Sequence, residues 1–126
     1  MPLYTDTISN FSCGADLTIS RTMTDLPSGL HLNLARLVIK RDLGDALSDA
    51  LVNKLVSVTL TVDGQITDPG TVSRVGAVTF YLSETDTTTL VEPKWFEIQC
   101  TTSDSKLYTS HRGVIRGELS TLIQTT

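Results

Sequence analysis

Apolar and polar side chains alternate along seven short stretches of the chain, with the period of two that is typical of a half-buried β-strand. The alternation is clearest over residues 56–62, where all four apolar side chains fall on one predicted face. We therefore predict strands, with inward-facing side chains in parentheses, at 15–21 (Leu17, Ile19), 35–40 (Ala35, Leu37, Ile39), 56–62 (Val56, Val58, Leu60, Val62), 77–82 (Val78, Phe80, Leu82), 94–100 (Phe96, Ile98, Cys100), 106–111 and 113–119 (Val114 or Ile115).

Turn-forming residues separate these stretches. Asp63-Gly64 directly follows one predicted strand, and Asp68-Pro69-Gly70 follows shortly after. Ser103-Asp104-Ser105 lies between two strand patterns and predicts a hairpin loop, whereas Pro27-Ser28-Gly29 interrupts a longer loop over residues 22–31. Short strands joined by such turns indicate an all-β fold, and seven of them favour an antiparallel β-sandwich.

Two stretches have helical features. Ser83 is followed three residues later by Asp86, as in a capping box, but the threonines that come next form helices poorly. We expect one short helical turn that ends near Leu90. Residues 45–55 have apolar side chains at helical spacing, and they predict either a short helix or an irregular crossover between strands.

Length and composition fit one folded domain. The chain has 126 residues, of which 40% are hydrophobic and 19% charged. Frequent threonine, a β-branched residue, supports a strand-rich fold. We divide the chain into an N-terminal arm (residues 1–13), the sandwich (14–122) and a C-terminal tail (123–126), and we expect a domain lacking residues 1–12 to fold.

The charge pattern argues against nucleic-acid binding. The net charge is −4, and the basic residues are scattered rather than clustered, so the chain offers no stripe to displace counterions. No stretch has the ~20 consecutive apolar residues that span a bilayer, and residues 1–13 lack the pattern of a signal peptide. These features predict no membrane partner and a cytoplasmic site of synthesis.

The two cysteines, Cys13 and Cys100, form neither a metal-binding pair nor a disulfide framework. One interpretation is that both are reduced, buried thiols. The other is a disulfide between the N-terminal segment and a late strand, which needs Cα atoms within about 7 Å and an oxidising compartment.

Candidate catalytic residues are few. His31 lies beside a Pro/Gly loop, and His111 lies near the end of a predicted strand. Ser110 precedes His111, but neighbours on a strand point to opposite faces, so we expect no Ser–His pair and two solvated histidines. Acidic residues cluster at Asp42, Asp45 and Asp49 and at Glu84 and Asp86, without the order of a calcium loop. Glycine-rich phosphate-binding motifs are also missing. The sequence thus predicts no catalytic, cofactor-binding or metal-binding residue and no enzymatic activity.

Candidate protein-contact residues are apolar side chains that the strand pattern leaves out. Trp95 is out of phase with Phe96 and Ile98, which places it either on a contact surface or over the edge of the core. The others belong to the predicted arm and to the loop over residues 22–31: Leu3, Tyr4, Ile8, Phe11 and Leu26.

The order of strand sequences resembles one family. The runs that carry this resemblance are Gly14–Ile19 (GADLTI), Leu37–Lys40 (LVIK), Val58–Gly64 (VTLTVDG), Gly76–Ser83 (GAVTFYLS), Asp86–Leu90 (DTTTL), Trp95–Gln99 (WFEIQ) and Arg112–Gly117 (RGVIRG). Together they resemble the N-terminal domain of tailed-phage baseplate upper proteins and its single-domain relatives in phage virions. The chain departs from that pattern at Glu92-Pro93-Lys94, where the family has a glycine or a short turn, and in its longer segments at 22–31 and 42–53.

The resemblance implies an Ig-like β-sandwich in a structural virion protein that is assembled in the cytoplasm of a bacterial host. The first functional hypothesis is a capsid decoration or cement protein, which docks as a homo-oligomer on the major capsid protein lattice. The second is a tail or baseplate adaptor that attaches a fibre or receptor-binding protein. A carbohydrate-binding module or small hydrolase is a remote third, because the chain has a single Trp and few aromatic residues.

Overall fold

The computed structural model describes residues 1–119, so the predicted tail at 123–126 and the last three residues of the predicted sandwich lie outside the described residues. The described part is all-β, as predicted, with one short α-helix. Its elements are β1 (Tyr4–Ile8), β2 (Ser12–Cys13), β3 (Leu17–Met23), β4 (Leu32–Lys40), a 3₁₀ turn (Leu47–Asp49), β5 (Val52–Val56), β6 (Gly64–Asp68), β7 (Gly76–Leu82), α1 (Glu84–Thr88), β8 (Lys94–Thr102), β9 (Leu107–Ile115) and β10 (Glu118–Leu119).

The strands form two main sheets. The large sheet has the order β1-β9-β8-β4-β5, and the small sheet has the order β3-β7-β6. β2 and β10 form a separate short pair. Most pairings are antiparallel, but β1 runs parallel to β9 and β2 runs parallel to β10. Ten strands are therefore described, where the sequence predicts about seven.

Both main sheets contribute to one hydrophobic core. Ile19, Val78 and Phe80 come from the small sheet, and Leu37 and Ile98 from the large sheet, all at most 2% exposed. The predicted inward faces of β7, β8 and β4 are confirmed, because period-two alternation reports burial wherever a strand is paired on both sides. Ile115, rather than Val114, faces the core, since its exposed fraction is 0%.

The predicted strand over residues 56–62 is wrong. β5 starts earlier, at Val52, and ends at Val56, and the chain then enters a loop that leads to β6. In this loop Val58, Leu60 and Val62 are 52%, 62% and 90% exposed. Of the two alternatives predicted for residues 45–55, the crossover describes only residues 45–51, which contain the 3₁₀ turn at Leu47–Asp49, whereas residues 52–55 belong to strand β5.

The capping box at α1 is confirmed. The Ser83 hydroxyl accepts a hydrogen bond from the Asp86 amide, and the Asp86 carboxylate accepts one from the Ser83 amide. These contacts satisfy amide groups that the first helical turn leaves free, and they fix the start of the helix.

Residues 1–13 are not a free arm. Residues 4–8 form β1, which pairs with β9, and Ile8 is buried in the core. Gly113 of β9 allows this close approach, because a Cβ there would overlap the Asp6 carbonyl oxygen. Cys13 is also buried. The segment supplies one edge strand of the large sheet. Its deletion would expose the core residues that Ile8 covers, contrary to the prediction that the domain folds without residues 1–12.

Each side of the core is tied by polar contacts between the sheets. On one side the Arg21 guanidinium of β3 bonds the Asp6 carboxylate of β1 at 2.6 Å. On the other side the Lys54 ammonium of β5 lies 3.1 Å from Asp63 and 3.0 Å from Asp86 at α1. Each main sheet also has an outer face that points away from the core.

Candidate functional site

The outer face of the large sheet is built by the side chains that alternate with the core residues of β4, β8 and β9. Trp95 lies opposite Lys40 on one side and Val114 on the other. Further along, Val38 lies opposite Glu97, and Glu97 lies opposite Arg112. We call this surface the Trp95 face. It combines apolar side chains with both signs of charge.

A groove of about 170 Å³ lies on the Trp95 face. Trp95 forms one wall, Val38 lies in it, and Leu43 and Leu47 from the crossover after β4 also line it. Val38 is only 5% exposed, whereas Leu43, Leu47 and Trp95 are 58%, 47% and 39% exposed. The crossover therefore covers part of the sheet and leaves three large apolar side chains in contact with solvent.

Four of the six predicted contact residues are at least partly exposed, and the other two are buried. Trp95, Leu3 and Tyr4 are exposed, and Phe11 is partly buried against the core. Ile8 and Leu26 are wrong as contact candidates, because they are 6% and 0% exposed. Ile8 is buried because β1 joins the sheet, and Leu26 because the Arg74 backbone and side chain hold its own backbone at 3.0 and 2.7 Å.

Sequence reasoning missed several exposed apolar residues on the Trp95 face, notably Leu55 of β5 and Leu107 of β9, which are 44% and 63% exposed. A second groove, lined by Leu34, Leu47, Leu55 and Leu107, shares Leu47 and Gln99 with the first. The signal was present in part, because the residues between core positions in a strand are expected to be polar and Leu34 and Val38 are not.

The outer face of the small sheet has a different composition. Its outward side chains are Thr18, Ser20 and Thr22 from β3, Ala77, Thr79 and Tyr81 from β7, and Gln65, Thr67 and Asp68 from β6, where a bulge places Asp68 opposite Ala77. Thr18 lies opposite Tyr81 and Ser20 opposite Thr79, with their hydroxyl oxygens 3.0 Å apart in the second pair. Asp68 is the one charged residue among these nine. We call this surface the Tyr81 face.

His111 is buried, which contradicts the predicted solvated side chain. It is 5% exposed, and its ring stacks on Tyr4 with centroids 5.2 Å apart. Burial lowers the pKa of His111, the Asp6 carboxylate raises it, and the Arg21 guanidinium lowers it, for a net decrease. The imidazole is therefore predominantly neutral at pH 7. His31, in contrast, is partly exposed.

Ser110 and His111 do contact each other, because a β-bulge separates them. Ile98 pairs with His111 and Gln99 with Thr109, so Ser110 is the extra residue. A bulge breaks the alternation of side chains, which explains why the strand rule fails here. The His111 Nδ1 lies 3.0 Å from the Ser110 hydroxyl. Ser110 is fully buried and donates to the Ile98 carbonyl, so the pair serves packing and offers no nucleophile to a substrate.

Both cysteines are free and buried, in agreement with the reduced interpretation. Burial raises the pKa of Cys100 to about 11, and burial also raises the pKa of Cys13. The Cys100 sulfur lies 3.9 Å from the Met1 sulfur. Thiols with raised pKa values are poor nucleophiles at neutral pH, because the thiolate is the reactive form.

Within residues 1–119, no group of three or more His, Cys, Asp or Glu side chains is arranged to hold a metal ion. No helix among the same residues is long and apolar enough to cross a membrane. Neither a protein-family model nor a curated protein sequence matches this chain. The functional proposal therefore depends on the chemistry of the two outer sheet faces.

Proposed function

We propose that this protein is a structural component of a tailed-phage virion, a capsid decoration protein that docks on the major capsid protein lattice through the Trp95 face. We further propose that its two sheets form an Ig-like β-sandwich. The observation that carries the docking proposal is the cluster of exposed apolar side chains around Trp95. The assignment to a phage particle is supported by the resemblance of the strand sequences.

Docking is favoured by the composition of the Trp95 face. Buried Trp and Arg side chains account for much of the binding energy in protein interfaces, and they lie near the centre of the contact. Here Trp95 is bordered by Leu43 and Leu47, while Arg36 and Arg112 lie on neighbouring strands of the same face. A partner would bury the exposed parts of Trp95, Arg36 and Arg112 at little conformational cost, because strands hold their backbone in place.

Repetition on a lattice suits such a face. A capsid presents many identical sites, so a contact of modest area per copy suffices for stable attachment when neighbouring copies also touch. We expect copies of the protein to form homo-oligomers on the particle for the same reason. Among the described residues β1 and β5 are the edge strands of the large sheet, and such strands can pair with a neighbouring copy.

The first test is the protein's position and copy number in purified virions, by cryo-electron microscopy and quantitative mass spectrometry. The proposal expects the protein on the head, at a copy number comparable to that of the major capsid protein. A location confined to the tail, at a few copies per particle, would overturn it in favour of a fibre or receptor-binding adaptor.

The second test locates the docking surface. Trp95→Ala should reduce the occupancy of purified capsids at least about tenfold, as expected for the loss of a central interface aromatic. Tyr81→Ala is the matched control, since Tyr81 is 40% exposed and Trp95 39% exposed, on opposite faces. Equal occupancy for both variants and the unaltered protein would remove the Trp95 face from the contact.

A further inference from the structure

The geometry points to a second binding surface, the Tyr81 face, whose ligand is an uncharged carbohydrate. This site is independent of the proposed docking function, because it lies on the other sheet and involves none of the same residues.

The first argument is the electrostatic character of the face. Nine outward positions on three adjacent strands carry six hydroxyl groups, one amide and a single carboxylate, that of Asp68, without a Lys or Arg. The whole chain has 24 such charged residues, 10 basic and 14 acidic. The two cations beside the face, Arg21 and Lys54, are already paired with carboxylates, so they contribute little to displacing the counterions of a nucleic acid or attracting an anionic lipid. Electrostatic complementarity therefore favours a neutral ligand.

The second argument is the spacing of the hydroxyl groups. Outward side chains recur about every 6.6 Å along a strand, and adjacent strands lie about 4.8 Å apart. Thr18, Ser20 and Thr22 form one row, and Thr79 and Tyr81 continue the next. A ligand that itself carries many hydroxyl groups can exchange hydrogen bonds with such rows, while an apolar partner would leave them unsatisfied.

The third argument is the cleft at one end of the face. It has a volume of about 420 Å³, and its lining includes Tyr81, Thr18, Asp16 and Asp63. This lies within the range of about 300–1,000 Å³ that is usual for ligand sites. The Tyr81 ring offers an apolar surface for the C–H face of a sugar ring, and the carboxylates accept hydrogen bonds from sugar hydroxyls.

The local structure holds this cleft in place. Lys54 lies in its lining and bonds both Asp63 and Asp86, which fixes the Asp63 carboxylate beside Tyr81. The Tyr81 amide also donates to the Asp63 carbonyl at 3.0 Å. The cleft is thus assembled from paired strands and a clamped loop, and little ordering is needed when a ligand binds.

The test is binding of the full-length protein to a panel of uncharged polysaccharides, namely glucans, mannans, galactans and chitin oligomers. Heparin and polygalacturonate serve as anionic comparators. Affinity electrophoresis followed by calorimetry should detect at least one uncharged ligand and weaker or no binding of the anionic ones. Binding confined to the anionic polymers, or no binding to any of them, would overturn the inference.

Variants assign the binding to this face. Tyr81→Ala should weaken the detected affinity at least about tenfold, because it removes the aromatic platform. Thr18→Val removes the opposing hydroxyl with little change in shape, and it should weaken binding by a smaller factor while the domain stays folded. An equal loss in Trp95→Ala would overturn the assignment, since Trp95 lies on the opposite sheet. Capsid occupancy of the Tyr81→Ala protein, measured separately, distinguishes a failed carbohydrate site from a failed docking proposal.

Discussion

The Trp95 face and the Tyr81 face have the same local geometry, since each is the solvent side of a twisted sheet over a common core. They differ in what covers them. The crossover after β4 folds over the Trp95 face and buries Val38 there, whereas the Tyr81 face has hydroxyl groups and no covering segment among the described residues. An outer face with apolar residues needs a cover or a partner, whereas a hydroxyl face needs neither.

Placing the same charge on both faces tests most strongly whether they are covered to different extents. Val38→Asp should lower the free energy of unfolding by about 3 kcal/mol, because it buries a carboxylate without a partner. The new side chain would also lie opposite Glu97. Thr79→Asp, on the open face, should cost less than about 1 kcal/mol. Urea denaturation of both variants measures the difference, and equal losses would show that the two faces are covered alike.

A substitution of Lys54 tests the ion pair that joins β5 to α1 beside the Tyr81 cleft. Lys54→Met should destabilise the domain by about 1–2 kcal/mol at pH 7, since the Asp86 carboxylate loses its buried partner. Denaturation at pH 7 measures this loss, with Lys106→Met, an exposed lysine, as the control. A loss no larger than that of the control would mean that the ion pair contributes little.

The same contact has a defined pH dependence. Burial raises the pKa of Asp86, but the Ser83 amide and the Lys54 ammonium outweigh this and hold it below its ordinary value of 3.8. The stability it contributes is therefore present above pH 3.8 and is lost as the pH falls through the lower folded value. In Lys54→Met the Ser83 contribution remains, so the fall of Tm below pH 4 should be shallower than in the unaltered protein.

A substitution of His111 tests the packing on the opposite side of the core, between β9 and the Asp6–Arg21 pair. His111→Gln should cost about 1 kcal/mol at pH 7.5, because the stacking on Tyr4 is lost. Since the folded pKa of His111 lies below its ordinary value of 6.5, its neutral form stabilises the fold above pH 6.5. That contribution is lost as the pH falls through the folded value, and the substitution should abolish this part of the Tm profile. An unchanged profile in the variant would assign the slope to another group.

The smallest expected effect concerns the independence of the two faces. Trp95→Ser and Tyr81→Ser remove exposed aromatics on opposite sides of the core, so their effects on stability should add within about 0.5 kcal/mol in the double variant. A larger coupling energy, measured by a double-mutant cycle, would mean that the sheets transmit changes to each other. The binding tests could then no longer treat the faces separately.

The inner faces of the sheets could be predicted from the sequence because burial is a local, periodic property of a paired strand. Val78, Phe80, Ile98 and Cys100 were all placed correctly on this basis. Residues 56–62 have the same alternation and do not form a paired strand, since a period shows what a segment favours and not whether a neighbour is available to pair with it.

The candidate site was only partly predictable. Trp95 could be identified because it is a large apolar side chain at a position of its strand that faces away from the core. The Tyr81 face could not, because its hydroxyl rows come from β3, β6 and β7, and only the pairing register aligns them. The bulge at Ser110 was equally hidden, since it arises from the match between β8 and β9 rather than from either strand alone.

The pairing of Tyr4–Ile8 with His111–Ile115 has a consequence for how the protein forms during translation. Residues 4–8 leave the ribosome before β9, and they cannot pair in the sheet until β9 has followed. Until then this segment lacks its β9 partner and carries the apolar Ile8. Closing a loop of such length is slow, and folding rates fall as contacts become less local. At a crowded polysome β1 of one chain can therefore meet β9 of another, and β1 is where exchanged dimers would arise.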